Sequence, residues 1–163
     1  MISIRVCSAA TVDHHRSFKP HYVVSIHGKS VPAAPPAWMP EENWFEFAFD
    51  DVTSAGSEGA PTNADIRNLI SLAATLAWPD SKARILFHCA AGVSRSTAAA
   101  YIFLCVHLGP GHEKEAITQT VENSESQWIW PNSLMVRYAD DLLGRDGAMI
   151  DTLDDWERSM LHM

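Results

Sequence analysis

Cysteine is scarce in this chain. Cys7, Cys89 and Cys105 are an odd set at wide spacings, with no CxxC pair of the kind that zinc ribbons and redox motifs use. A disulfide framework or structural zinc site is therefore not expected, and at least one of the three is a candidate working thiol. Basic residues are also in deficit. Twelve Lys and Arg stand against twenty Asp and Glu, a formal net charge of -8, so the chain as a whole should attract neither nucleic acid nor an anionic membrane surface. A bound anion would need a local trap. No apolar run is long enough to span a bilayer, and the segment from Met1 to Cys7 has no long apolar core of a signal peptide. These absences set the expected location as the cytoplasm.

Hydrophobic residues make up 47% of the 163 and charged residues 20%, enough apolar material to build a core and too little charge for wholesale disorder. One catalytic-sized domain over residues 1–163 is the expected organisation. Ile2 to Val6 alternates apolar and polar side chains, and Tyr22 to Ile26 is a β-branched run, so both read as strands. Asp13-His14-His15-Arg16 between them is polar loop or short helix. Three prolines within Val31 to Pro36 forbid regular hydrogen bonding and mark a surface loop. Trp44 to Phe49 reads as a third strand, followed by a Gly-, Ser- and Pro-rich loop from Thr53 to Pro61.

Thr62 with Asp65 three residues on resembles a capped helix start, and Ile66, Leu69, Ile70, Ala73 and Leu76 repeat at helical spacing behind it. Arg84 to His88 lacks alternation, as a central strand covered on both faces does. From Arg95 to Leu108 the chain is apolar almost all round, the pattern of a buried helix, and Gly109-Pro110 stops it. Further helices are expected from Glu113 to Glu122 and from Ser133 to Leu143, while the stretch from Asp151 is acidic and weakly patterned. Strands joined by helical segments predict an α/β fold: a central, largely parallel twisted sheet of about four to five strands with helices packed around it.

The segment His88-Cys89-Ala90-Ala91-Gly92-Val93-Ser94-Arg95-Ser96-Thr97 has a strand before it and a helix after it, the setting of an anion-cradling loop. Five residues separate Cys89 from Arg95. A loop of that length can turn successive N–H groups inward, with Gly92 supplying backbone freedom and the helix dipole adding positive potential. Ala90, Ala91, Gly92, Val93, Ser94 and Arg95 are thus the candidate phosphate-binding residues. Arg95 can offer two parallel N–H donors and stays charged at any working pH. The same surroundings lower the pKa of a cysteine, so Cys89 is expected to be a thiolate. In-line attack on phosphorus by Cys89 gives a thiophosphate, the phosphocysteine intermediate, which water then hydrolyses. The Ser96 hydroxyl is placed to stabilise the thiolate as it leaves. Neither metal nor cofactor enters this scheme.

His88 to Thr97 matches the HCxxGxxR[S/T] signature without a gap, and on it the chain resembles the dual-specificity and protein-tyrosine phosphatase superfamily, as a small single-domain member of bacterial type. The resemblance covers about Trp44 to Leu143. It implies a hydrolase acting on phosphotyrosine monoesters, with phosphoserine and phosphothreonine as further candidates, and hence a phosphorylated protein or a small phosphomonoester as partner. It also implies that His88 orients the loop and that Asn132, in the Pro131-Asn132 segment, braces it. The first 40 residues are not aligned with the family.

The family's general acid is an Asp on a separate loop, and three candidates compete for it. Trp78-Pro79-Asp80 spells the acid-loop tripeptide of the tyrosine-specific branch, yet Asp80 lies at the opposite end of the strand that delivers Cys89. Five strand residues at roughly 3.3 Å each separate the two by about 15 Å, so Asp80 is rejected. Asp50 and Asp51 end the third strand at the edge where Cys89 must emerge if the strands are parallel. If Phe45, Phe47 and Phe49 share one face, Asp51 continues it and Asp50 points away, which favours Asp51.

Other residues invite duller explanations. Cys7 and Cys105 are expected to be buried structural thiols, His14 and His15 to be solvated, and Trp128-Ile129-Trp130 to pack in the core rather than rim a pocket. Two alternatives to a protein phosphatase stay open at this point: a phosphate-binding scaffold that has lost turnover, and a phosphatase of a non-protein phosphomonoester. A loop with no Lys or Arg beyond Arg95 favours a singly phosphorylated substrate.

Overall fold

The computed structural model describes residues 1–163. Four strands, β1 (Ser3–Ser8), β2 (Tyr22–His27), β3 (Trp44–Ala48) and β4 (Arg84–Cys89), form one sheet in the order β1-β4-β2-β3. Every pairing is parallel. β4 is central, so both its neighbours run in its direction and all four strands end on the edge where Cys89 emerges. Five helices follow: α1 (Asn63–Leu76), α2 (Arg95–Leu108), α3 (Glu113–Glu122), α4 (Ser133–Leu142) and α5 (Ala148–Leu161). None is long and apolar enough to cross a membrane.

The helices share one face of the sheet. Ile2, Ile4, Val6, Val24, Ile26, Ile85 and Phe87 pack there against α2, which is buried along nearly its whole length, and through it against α1, α3, α4 and α5. Phe87 meets Phe103 edge to face at 4.9 Å between centroids, a pair worth about 0.5–1.5 kcal/mol beyond its buried area. The opposite face has a thinner cover. Cys7, Val12, Val23, Met39 and Leu86 form a small second cluster with Trp38 and Trp44, contributed partly by a ten-residue 3-10 helix, Ala9–Phe18. The short polar segment expected around Asp13 to Arg16 is therefore part of a structural layer.

α1 begins with the capping box foreseen at Thr62 and Asp65, each side chain bonding the other's backbone N–H. Two departures from expectation have clear physical causes. The weakly patterned stretch around Asp151 is the helix α5. It is held by tertiary contacts: the buried Asp140 carboxylate accepts from the N–H groups of Gly147 and Met149, and the Tyr101 hydroxyl donates to the Met149 carbonyl. Trp128 and Trp130 are not core residues, being 74% and 49% exposed; only Ile129 between them is buried. The chain is fixed there by its backbone instead, the Trp130 N–H donating to the Val93 carbonyl.

Candidate active site

β4 delivers Cys89 to the carboxyl edge of the sheet, and the chain then turns through Ala90 to Ser94 into the first turn of α2. Gly92 makes this turn possible for two reasons. Its φ is +71°, and a Cβ there would lie 2.5 Å from the carbonyl carbon of Cys7 and 2.7 Å from the nitrogen of Ser8. The loop is pressed against the end of β1 and pinned to it by the Ala9 N–H, which donates to the Ala90 carbonyl. The N–H groups of Ala90, Ala91, Val93 and Ser94 donate to no acceptor in the protein. A run of free donors at a helix start is the electrostatic ground for an anion site.

Cys89 is 2% exposed, and its Sγ lies 3.0 Å from the Ser96 Oγ. Burial would raise the thiol's pKa. The Ser96 hydroxyl, the N–H groups of Ser96 and Gly92 and the Arg95 guanidinium together outweigh it, and the net shift is downward. Cys7 and Cys105 show the contrast: both are buried and free, and burial pushes each up to about 12. Three buried cysteines thus differ in character: Thr11 beside Cys7, and Arg145 and Tyr101 beside Cys105, do not offset burial, whereas the donors gathered around Cys89 do.

Arg95 is 8% exposed, and one end of its fork is anchored where Nη1 donates to the Phe49 carbonyl at 2.9 Å. Its Nε is buried with no partner. An unpartnered buried guanidinium N–H costs free energy unless an acceptor arrives, and Arg95 shares with Cys89 a cavity of about 560 Å³.

The acid candidates separate by side. Phe45, Phe47 and Phe49 all pack into the main core. Asp51 lies on the helical side, its Oδ1 accepting from the Ser94 hydroxyl at 2.7 Å and from Asn132 Nδ2 at 2.9 Å. Asp50 turns toward the other side, accepting from the Lys29 N–H at 3.3 Å. Both line the cavity with Cys89 and Arg95. Asp80 is exposed in the turn that precedes β4, away from the loop that β4 leads into. Asn132 is 1% exposed and ties three segments together. Its N–H donates to the Ser94 carbonyl, its Oδ1 caps α4 by accepting from Met135 N–H, and its Nδ2 reaches Asp51 and the Val52 carbonyl.

His88 immediately precedes Cys89 on β4. Its ring makes no hydrogen bond to the loop backbone, and Nδ1 is buried without a partner. Burial, helped by the neighbouring His27, lowers it to about 4, so the ring is neutral at ordinary pH and is oriented by packing. Among the phosphate-loop residues, Ala90 and Arg95 line the cavity, and Ala91 is exposed.

Sequence reasoning missed the cavity's outer walls. One comes from Ala9, Ala10, Val12 and Asp13, the other from Val31 to Ala34 with Pro36. The Trp38 indole N–H joins them by donating to Asp13 Oδ1 at 2.8 Å. The prolines signalled a stiff loop, but nothing in their pattern says where it folds. No group of three or more His, Cys, Asp or Glu side chains is placed to hold a metal ion.

No family model matches the chain, and no curated protein matches it. Solved structures do. The PTP-2 phosphatase of Cydia pomonella superposes with a TM-score of 0.60 at 17% identity, over 85% of this chain and 84% of that one. Human DUSP28 gives 0.59 at 17% identity, over 87% and 94%. The human tyrosine phosphatase-like serine/threonine/tyrosine-interacting protein gives 0.57 at 13%, over 83% and 84%. At such identities the likeness concerns the fold: this chain has the α/β fold of the tyrosine and dual-specificity phosphatase superfamily.

Proposed function

We propose that the chain is a cysteine-dependent phosphatase that hydrolyses phosphotyrosine monoesters, with phosphoserine and phosphothreonine as further candidate substrates. The observation that carries this reading is the juxtaposition in one cavity of the Cys89 thiol, 3.0 Å from the Ser96 hydroxyl, and the Arg95 guanidinium with its free Nε. A thiol brought down by hydrogen-bond donors is a nucleophile, and a guanidinium with unused donors beside it is a clamp for phosphate oxygens.

In the first step the Cys89 thiolate attacks phosphorus in line, the S–P bond forms, and the P–O bond to the leaving group breaks. Charge on the three equatorial oxygens is met by Arg95 and the free N–H groups of the loop. Asp51 hands its proton to the departing oxygen. In the second step Asp51, now a carboxylate, takes a proton from water as that water attacks phosphorus. The S–P bond breaks and the Ser96 hydroxyl donates to the returning thiolate. The thiolate is itself the nucleophile, so neither step is written through a metal or cofactor.

The cavity lining includes Asp13, Asp50 and Asp51, and Arg95 is its only Lys or Arg. That balance supports a substrate carrying one phosphate, since a second would meet carboxylates without a counter-charge. The test is phosphate release from p-nitrophenyl phosphate under reducing conditions without added metal, with Cys89→Ser alongside. Turnover that vanishes in the variant is the expected result. Turnover that survives in Cys89→Ser would overturn the mechanism, and phosphate binding without turnover would turn the reading toward a binding protein.

A further inference from the structure

Asp51 is held in a way that a simple acid on a mobile loop would not need. Its Oδ1 receives two hydrogen bonds, from Ser94 Oγ at 2.7 Å and from Asn132 Nδ2 at 2.9 Å, while its Oδ2 has no partner in the protein. The Asn132 amide cannot be turned over without loss. Its oxygen is committed to the Met135 N–H at 3.0 Å, so its two N–H bonds must point toward Asp51 and the Val52 carbonyl, 3.2 Å away. Ser94 has one hydroxyl hydrogen and spends it on the same oxygen. Further ties run beside these: Arg137 Nη2 donates to the Thr53 carbonyl at 3.1 Å, and Arg95 Nη1 to the Phe49 carbonyl. The segment from Phe49 to Thr53 is thus fastened to the phosphate loop and to α4 at several points.

We infer that Ser94 and Asn132 are positioning residues for the general acid, holding the Asp51 loop shut on the phosphate loop before substrate arrives and reserving Oδ2 as the oxygen that carries the proton. This rests on the phosphatase reading above. A carboxylic acid has one proton to place on two oxygens. With Oδ1 already accepting two N–H or O–H donors, a proton there would face both donor hydrogens, so it sits on Oδ2. When the P–O bond breaks, that O–H bond breaks with it: the proton goes to the leaving oxygen, the bonding pair stays on Oδ2, and the new carboxylate keeps both bonds at Oδ1. Nothing has to reorganise in the step, which is the advantage of a preformed site. The same bonds distinguish the two neighbouring acids, because Asp50 faces the Lys29 N–H on the opposite side.

The experiment compares the native protein, Ser94→Ala, Asn132→Asp, Asp51→Asn and Ser94→Ala with Asp51→Asn on a series of aryl phosphates from p-nitrophenyl to phenyl phosphate. Asn132→Asp keeps the acceptor that caps α4 and removes the two donors; Ser94→Ala leaves the cap untouched, so it carries the test if the Asn132 variant fails to fold. A proton donor matters most when the leaving group is a poor one. Ser94→Ala and Asn132→Asp should each lose about tenfold more kcat on phenyl than on p-nitrophenyl phosphate, as expected for a slightly misplaced catalytic group. In the Asp51→Asn background, removing the Ser94 hydroxyl should add no such difference. Equal losses across the series, or a Ser94 effect on leaving-group dependence that persists without Asp51, would overturn the assignment. A native protein that turns over no aryl phosphate would instead overturn the phosphatase reading, and this inference with it.

Discussion

Ser96 Oγ stands 3.0 Å from Cys89 Sγ, one helical residue beyond the arginine that faces the same cavity. The contact couples the thiol to the start of α2, because Ser96 is itself fully buried in that helix. A hydrogen bond to a charged group is worth about 1.5–3 kcal/mol. In Ser96→Ala the thiolate loses that bond, so alkylation of Cys89 by iodoacetate should require higher pH than in the native protein. The second chemical step, in which the thiolate departs, should slow on the order of ten- to a hundredfold. Burst kinetics on p-nitrophenyl phosphate separate this from the first step: the burst should persist while steady turnover falls. A variant with an unchanged alkylation profile would remove Ser96 from the site.

Gly92 is where the cradle is most sensitive to a single methyl group. An alanine there would need a left-handed backbone and would meet Cys7 and Ser8 backbone atoms that cannot move without disturbing β1. Gly92→Ala should destabilise the fold by more than about 1 kcal/mol and abolish protection of Cys89 from alkylation by tungstate or phosphate. Denaturant titration and alkylation with and without the anion measure the two effects.

Asp51→Asn removes the proposed proton donor while preserving shape. Its kcat on phenyl phosphate should fall by about 10²–10⁴-fold, with a much smaller fall on p-nitrophenyl phosphate. Asp50→Asn, whose carboxylate faces the Lys29 N–H, should show no dependence on the leaving group. The reverse pattern would transfer the acid role to Asp50.

His88 sets an acid limit on stability. Burial lowers its folded-state pKa to about 4 from a usual 6.5. Between those values the unfolded chain binds a proton that the folded chain refuses, so stability rises with pH. The contribution is fully present above about pH 6.5 and is lost progressively as pH falls toward 4, and is on the order of 3 kcal/mol. Urea denaturation at pH 7 and pH 4.5 should show a smaller difference for His88→Gln than for the native protein; equal differences would mean the ring does not govern it.

The local elements were legible because their signals are local. Thr62 and Asp65 announce α1, the unbroken apolar face of Arg95 to Leu108 announces a buried helix, and the run Arg84 to His88 announces a covered strand. α5 was not legible, because its stability comes from Asp140 and Tyr101, remote partners that leave no trace in the pattern after Gly147. Trp128 and Trp130 misled for a related reason: large aromatics are usually buried, but here the backbone bond to Val93 fixes the chain and leaves the rings outside.

The site divides in the same way. Cys89, Gly92, Arg95 and Ser96 could be read together because a strand, a short loop and a helix start lie within a few residues of one another, and covalent continuity limits where they can go. The alternation of Phe45, Phe47 and Phe49 led to the expectation that Asp51 and Asp50 point to different sides, and their carboxylates do have different partners. What the chain order could not disclose is that Asn132 and Ser94 meet Asp51, or that residues 9–13 and 31–36 wall the cavity. Those contacts join segments between about 40 and 80 residues apart. They depend on how a parallel sheet brings the carboxyl ends of its strands to one edge, which no local pattern of residues encodes.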